Sequence, residues 1–130
     1  MVIYNNTFQA KASKAHKKAF RCLKKEYPAW TIWQEKQINI DGKTLFADIY
    51  IQSPFQMIIE IQGKQHHKFV PHFHKTEAGF KKAQENDKIK KEFCEMNDIL
   101  YLAIDGDNFD EDDFLNEMNK KIQEGIEDDI

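Results

Sequence analysis

The first part of the chain predicts a helix followed by a β-hairpin. Small and apolar residues recur at helical spacing across residues 11–25, and lysines and an arginine fill much of the rest of this segment. The pattern predicts a basic amphipathic helix, which ends before Pro28 because the residue preceding a proline avoids the α region. Residues 31–40 and 44–51 are rich in β-favouring side chains, and Asp41-Gly42 between them is a strong hairpin signal. We therefore expect two antiparallel strands after the helix.

The rest of the chain predicts two further strands and two further helices. Residues 57–61 form a short apolar run interrupted by one glutamate, and residues 99–104 form a wholly apolar run suited to the middle of a sheet. Residues 76–97 have helical composition, and apolar residues four apart make the acidic segment at about 110–126 an amphipathic helix. The order α-β-β-β-α-β-α predicts an α/β fold with a single mixed β-sheet flanked by helices.

Length and composition fit one folded domain. The chain has 130 residues, so we expect a single domain over residues 1–130, and 41% hydrophobic residues are enough for a packed interior. No apolar run approaches the roughly 20 residues that a membrane helix needs, and the amino terminus lacks the long apolar stretch of a signal peptide. Since the chain has two cysteines, too few for a disulfide scaffold, we expect a reducing, cytoplasmic location away from membranes.

The net charge of −3 conceals a basic body and an acidic tail. Residues 1–104 hold 17 Lys and Arg against 11 Asp and Glu, whereas residues 105–130 hold 2 against 11. A basic body suits a partner with phosphates, because neutralising phosphates releases condensed counterions and supplies affinity that is independent of sequence. The alternative is a solvated surface, since lysine-rich helices are common in proteins that bind no nucleic acid.

Two carboxylates interrupt neighbouring apolar strands. Asp48 lies within the second predicted strand and Glu60 within the third. A buried charge is costly unless it is paired or bound to a metal ion. Mg²⁺ typically takes one or two carboxylates and completes its octahedron with water and substrate phosphate. The pattern therefore indicates a divalent-metal site, with the alternative that both acids point outward, as polar residues on half-buried strands commonly do.

Histidines cluster just after the third strand. His66, His67, His72 and His74 fall within nine residues. A histidine can act as a general base near neutral pH. A zinc site is a second interpretation, but no cysteine is close and the spacing matches none of the familiar zinc ligand patterns. Some of these histidines can also be ordinary loop residues.

Asp87 is a further acidic candidate, on the helix that follows the histidines. It shares a mostly apolar stripe of that helix, but a second apolar stripe lies opposite, so the pattern leaves open which face is buried. The alternative role of Asp87 is an ion pair with Lys91, one turn further along the helix.

Four segments together resemble the PD-(D/E)xK nuclease superfamily. They are residues 46–50 (FADIY), 59–67 (IEIQGKQHH), 85–94 (ENDKIKKEFC) and 99–104 (ILYLAI). The chain is more narrowly similar to the branch related to very-short-patch repair endonucleases and to phage and intron homing endonucleases with an E-D-x-H-D type site. In that branch a strand Asp is followed by IE-x-(D/Q)-G-x-QH and by a helix with D-x-x-K-x-x-(Y/F)-C. The resemblance implies a restriction-endonuclease-like fold and metal-dependent endonuclease cleavage of DNA.

The resemblance also implies how a metal ion is held. Asp48 and Glu60 are expected to bind Mg²⁺ or Mn²⁺, with the backbone carbonyl of Ile61 completing the protein ligands and metal-bound water attacking phosphorus in line. Glu35 falls where such proteins often carry a polar residue opposite the site. Asp48, Glu60 and Ile61 are the candidate metal centre, and Glu35 is a further candidate catalytic residue.

One position departs from the superfamily pattern. The Lys expected two residues after the Glu is Gln62 here. A Lys stabilises transition-state charge or orients water, whereas a Gln can hydrogen-bond water but brings no charge. Lys64 is one candidate substitute. His66 or His67 is another, as the proton-transfer group, with Asp87 orienting that histidine or binding a second metal ion.

DNA, duplex or branched, is the partner that the resemblance implies, in a bacterial, phage or viral setting. The expected phosphate contacts are Lys14, Lys17, Lys18, Arg21 and Lys64. A chain this small has little room for a sequence-reading module, so structure selectivity, a homodimer or a larger assembly is expected. Two other functions stay open: a nucleic-acid-binding protein that has lost catalysis on the same fold, and a protein-interaction module that uses the acidic helix.

Overall fold

Helices and strands follow one another in the predicted order in the structure, a computed structural model that describes residues 14–63 and 77–128. The elements are α1 (Lys14–Glu26), β1 (Thr31–Ile40), β2 (Lys43–Ser53), β3 (Met57–Gln62), α2 (Glu77–Met96), β4 (Leu100–Asp105) and α3 (Glu111–Asp128). The α/β class and the mixed sheet flanked by helices are therefore confirmed. No helix within these ranges is both long and apolar enough to cross a bilayer.

The four described strands form one mixed sheet in the order β1-β2-β3-β4. The β1–β2 hairpin turns at Asp41 and Gly42, whose φ angles are 48° and 80°. Positive φ at both central residues is the requirement of a type I′ turn, which explains the Asp-Gly pair. β3 runs antiparallel to β2 and parallel to β4, so α2 lies on the crossover between the two parallel strands.

β4 lies at an edge of the described sheet, and the expectation that it lies in the middle is wrong. The apolar composition of β4 is explained instead by the helices on its two faces. Leu102 and Ile104 pack with α1 and α3 on one face, and Tyr101 packs with α2 on the other. An apolar run reports that both faces of a strand are covered, and it says nothing of the number of neighbouring strands.

Helices cover both faces of the sheet, and β3 lies between them. Leu23 of α1, Phe114 of α3 and Ile59 belong to one hydrophobic cluster, whereas Cys94 of α2 and Ile58 belong to a second. The first five residues of β3 are all buried. Full burial of each apolar side chain is worth about 1.5–3 kcal/mol, but a polar side chain on this strand must find its partners inside the protein.

α1 combines a basic surface with one buried histidine. Ala15, Ala19 and Leu23 pack into the core, while Lys18 and Arg21 are exposed, so the predicted amphipathic helix is confirmed. His16 lies among the buried residues with 5% of its surface exposed. The helix therefore brings an imidazole to the sheet and leaves its cations in solvent.

The alternation of buried residues reverses at one level of the sheet. A strand with an uninterrupted period of two puts residues six apart on the same face. In β1, however, Ile32 packs with α1 and α3, whereas Ile38 packs with the cluster of α2. In β2, Ala47 and Ile49 likewise join different clusters. The reversal falls between these residues in both strands.

Candidate active site

Strands β2 and β3 part at Asp48 and Glu60, and their carboxylates accept the backbone hydrogen bonds there. The ladder between the strands reaches the pair Ile49–Ile59. One step further, the Asp48 N–H donates to Glu60 Oε2 at 2.9 Å, and the Ile61 N–H donates to Asp48 Oδ2 at 2.8 Å. The two predicted acids are thus brought together. The alternative that both point outward is wrong, since Glu60 is 2% exposed.

Lys90 of α2 is a basic partner of Glu60. Its Nζ donates to Glu60 Oε1 and, at 3.1 Å, to the carbonyl oxygen of Phe46. The Nζ also lies 3.7 Å from Asp87 Oδ1. Burial by itself lowers the pKa of Lys90, but the surrounding carboxylates, with Glu60 foremost, outweigh it and raise the pKa. The ammonium therefore stays charged, and Asp87 forms its described ion pair with Lys90 rather than with Lys91.

Glu35 reaches the same cluster from β1. It falls between the paired positions Gln34–Ile49 and Lys36–Ala47, which places it across from Asp48 where the strand alternation reverses. Its backbone is left-handed, with φ 54°. Such a conformation costs a residue with a side chain roughly 1–3 kcal/mol, and strain of this kind concentrates at functional sites.

His16 joins Glu35 and Asp48 from α1. Its Nε2 lies 2.8 Å from the carbonyl oxygen of Asp48, and its Nδ1 lies 3.4 Å from Glu35 Oε1. One ligand atom from each of the three residues lies within 4.8 Å of the other two. Three elements that are distant in the sequence therefore present one nitrogen and two carboxylates to a common point.

The tautomer of His16 follows from its contact with Asp48. A carbonyl oxygen can only accept, so Nε2 carries the hydrogen and donates it. In the neutral ring, Nδ1 then presents a lone pair toward Glu35. Burial lowers the pKa of His16, although the hydrogen bond to Asp48 and the charge of Glu60 oppose this effect. The neutral imidazole, which can bind a metal ion or accept a proton, is therefore favoured.

Negative charge is in excess among the described residues of the site. Burial, and then the nearby Asp48 and Glu60 carboxylates, raise the pKa of Glu35 to about 7, with Lys90 opposing. Burial and Asp48 also raise the pKa of Glu60. With Asp87, four carboxyl groups thus surround the ammonium of Lys90. A divalent cation would relieve this repulsion, so the donor set fits a metal ion.

The remaining predicted residues fall into three groups. Gln62 lies half-buried at the end of β3, and its carbonyl oxygen accepts a hydrogen bond from the Gly106 N–H at 2.7 Å. Lys14, Lys18 and Arg21 are exposed on α1, and Lys17 is half-buried. Lys64, His66 and His67 lie outside the described residues, so their predicted roles stay predictions.

Sequence reasoning missed two residues of the site, His16 and Lys90. His16 lies three and seven residues before the buried Ala19 and Leu23, a spacing that places it on the buried face of α1. Lys90 stands three residues after Asp87, in the D-x-x-K segment of the resemblance. Both signals were available, but lysine and histidine on a basic helix usually face solvent.

Comparison with known proteins identifies one viral relative over part of the chain. The Uncharacterized protein 307L of Invertebrate iridescent virus 6 is 37% identical over 46 residues, which are 35% of this chain and 23% of the viral protein. The match thus spans about a quarter of the relative's length. No protein-family model and no solved structure matches the chain. These findings identify no family and no activity.

Replacing Glu35 by Gln should remove a pH-dependent loss of stability. The pKa of Glu35 is raised from 4.5 to about 7 in the fold, so the folded protein binds this proton more tightly than the unfolded chain does. Stability therefore falls as the pH rises between these two values. Relative to the wild type, metal-free Glu35→Gln should gain roughly 1–3 kcal/mol in free energy of unfolding between about pH 5 and about pH 8. Urea unfolding in a chelator measures this difference.

Glu117→Gln provides the matched control, because Glu117 is exposed on α3. Its difference from the wild type should stay constant over the same pH interval. If Glu35→Gln and the wild type showed parallel pH dependences, Glu35 would not be protonated in the cluster near neutral pH.

Proposed function

We propose that the chain is a metal-dependent endodeoxyribonuclease that hydrolyses phosphodiester bonds on a restriction-endonuclease-like fold. The observation that carries the proposal is the contact of Lys90 with Glu60, beside the hydrogen-bonded carboxylate of Asp48. Two acids on neighbouring strands and one lysine are the groups that the sequence resemblance leads one to expect. Here the lysine comes from α2.

Lys90 has the role of the superfamily lysine that is missing at position 62. The superfamily pattern carries its Lys two residues after the Glu, on the same strand, where this chain has Gln62. An ammonium from α2 that contacts the Glu60 carboxylate brings the same charge to the same acid. Charge that is held in place before reaction stabilises the negative charge that develops on a phosphate in the transition state.

The side chains of the cluster can divide the remaining chemistry among them. A bound Mg²⁺ or Mn²⁺ would supply a Lewis acid that polarises the phosphate and lowers the pKa of water. Asp48, Glu35, Glu60 and His16 are the residues able to hold that ion. The proton that the attacking water loses must pass to a basic group that is not a metal ligand, and His66 and His67 remain the candidates for that role.

The basic face of α1 supports DNA as the substrate. The helix contributes His16 to the cluster and exposes Lys14, Lys18, Arg21, Lys24 and Lys25. Cations on an element that also supplies the site would guide a phosphate backbone past the carboxylates, which by themselves repel it. A homodimer on duplex or branched DNA, in the cytoplasm, belongs to the same proposal. The viral relative is consistent with a viral setting.

Removing the Lys90 ammonium should slow cleavage without removing the metal site. Lys90→Met, which keeps much of the buried side-chain volume, should lower the rate of DNA cleavage about 10²–10³-fold, the scale for removal of one stabilising group. Mn²⁺ binding should persist, because the variant keeps the carboxylates and the imidazole of the cluster. Gel assays on single-stranded, duplex, flapped and branched DNA measure the rate, and titration calorimetry measures binding.

Lys88→Met is the matched control, since Lys88 is exposed on the same helix and should leave the rate unchanged. Lys90→Arg retains a positive charge. Comparing its rate with that of Lys90→Met therefore separates loss of the charge from unfolding as the cause of a decrease. Full cleavage by a folded Lys90→Met variant would contradict the role of Lys90. If the wild type bound these DNAs but cut none with either metal, the binding-only alternative would replace the nuclease.

Charge reversal on α1 should weaken DNA binding for all sequences alike. Lys18→Glu combined with Arg21→Glu removes two exposed cations while sparing the buried face of the helix. The slope of log affinity against log salt should become shallower by about 0.9 for each phosphate that the variant no longer neutralises. Lys120→Glu, an exposed change on α3, is the control. An unchanged slope in the α1 variant would place the DNA on another surface.

A further inference from the structure

We propose that the metal ion of this site binds through the imidazole nitrogen of His16, together with Glu35 and Asp48, and that the site therefore prefers a first-row transition-metal dication to Mg²⁺. The catalytic use of the bound ion rests on the proposed function, but the binding of the ion does not. It replaces the all-oxygen centre expected from Asp48, Glu60 and the Ile61 carbonyl with a mixed nitrogen and oxygen centre.

The ligand atoms already converge without a metal ion. One atom each from His16, Glu35 and Asp48 lies within a common distance of 4.8 Å. The side chains of His16 and Glu35 are 6% and 12% exposed, so their separation is set by packing rather than by free rotation in solvent. A central ion with ordinary ligand distances of about 2 Å requires donor atoms roughly 3–4 Å apart. The cluster needs little adjustment to meet this requirement.

The imidazole is oriented for coordination by the backbone. His16 Nε2 donates to the carbonyl oxygen of Asp48, the residue whose carboxylate is a second ligand. A metal-binding histidine commonly donates its other ring N–H to a carbonyl or carboxylate, which fixes the tautomer and the ring orientation. Nδ1 is thereby directed to the side of Glu35. The left-handed backbone of Glu35 brings the third ligand to this point from β1.

Glu60 is committed to other partners. Its Oε1 accepts from Lys90 Nζ, and its Oε2 accepts from the Asp48 N–H. Ile61 contacts the cluster through its N–H, which donates to Asp48 Oδ2. An ion bound mainly by Glu60 and Ile61 would have to share the Glu60 oxygens with the Lys90 ammonium and the Asp48 N–H, whereas an ion at His16, Glu35 and Asp48 leaves the Lys90–Glu60 pair undisturbed.

The donor set decides the class of metal. Mg²⁺ prefers oxygen ligands, keeps several waters and requires nearly ideal octahedral geometry. An imidazole nitrogen beside two carboxylates favours divalent ions of the first transition row, whose affinity for mixed nitrogen and oxygen sites rises from Mn²⁺ onward. Mn²⁺ is the appropriate probe, because its electron spin reports directly on a bound nitrogen.

The experiment is pulsed EPR on Mn²⁺ bound to the whole chain, with calorimetric titration of Mn²⁺ and Mg²⁺. The wild type should show ¹⁴N modulation from a coordinated imidazole. His16→Gln keeps an N–H donor for the Asp48 carbonyl but replaces the nitrogen ligand, so it should lose the modulation. Its Mn²⁺ affinity should fall at least about 10-fold, with a much smaller change for Mg²⁺. Glu26→Gln, an exposed change on the same helix as His16, is the matched control and should retain the modulation.

A second variant keeps His16 and every described residue of the cluster unchanged. The chain has five histidines, so changing His66, His67, His72 and His74 together to Gln leaves His16 as the sole imidazole. The ¹⁴N modulation should persist in that protein. Bound Mn²⁺ without modulation in the wild type, loss of modulation in the four-histidine variant, or its persistence in a folded His16→Gln variant would overturn the inference.

The outcomes also separate this inference from the proposed nuclease activity. Imidazole-bound Mn²⁺ in a protein that cuts no DNA would refute the activity and leave the metal assignment standing. Efficient cleavage with Mn²⁺ that shows no bound nitrogen would refute the assignment and leave the activity standing. Absence of any Mn²⁺ binding would overturn both.

Discussion

The charge of Glu60, buried inside a strand that helices cover on both faces, is the constraint on which this structure depends. An unpaired carboxylate at that depth would cost several kcal/mol, and removal of one partner from a buried pair typically costs about 3–5 kcal/mol. Lys90 and the Asp48 N–H neutralise and solvate the group. Because the lysine belongs to α2 and the N–H to β2, this one carboxylate fixes how the helix lies on the sheet and where β2 and β3 part.

The same level of the sheet collects the other polar groups. His16, Glu35, Asp48, Glu60 and Lys90 come from five different elements, and each reaches the point where the strand alternation reverses. Their charges do not cancel, since the imidazole is neutral and, among the described residues, one ammonium faces the carboxyl groups of Glu35, Asp48 and Glu60 as well as that of Asp87. A fold selected for stability alone has little reason to assemble such a cluster. A site that must receive a divalent cation and a phosphate does.

Sequence patterns predicted the elements well, because each depends on short-range chemistry. Asp41-Gly42 defines the hairpin and the apolar stripe defines α1, and neither requires knowledge of distant residues. The position of β4 was wrong because its composition reports covered faces and not lateral neighbours. Glu60 was predicted as a buried acid in need of a partner, but that partner is 30 residues away on α2. The left-handed backbone of Glu35 depends on pairing across the hairpin, so a linear pattern did not indicate it.

The central claim is that the buried acids form a binding site for a divalent cation. Anomalous diffraction from crystals soaked in Mn²⁺ tests this claim most directly, because it does not require the correct DNA substrate. The account predicts an anomalous peak within about 2–2.5 Å of the Asp48 carboxylate, with a second ligand from the same cluster. Crystals in which Mn²⁺ occupies other sites while the Asp48 carboxylate has no peak beside it would contradict the account. The cluster would then be a structural network that Lys90 alone neutralises.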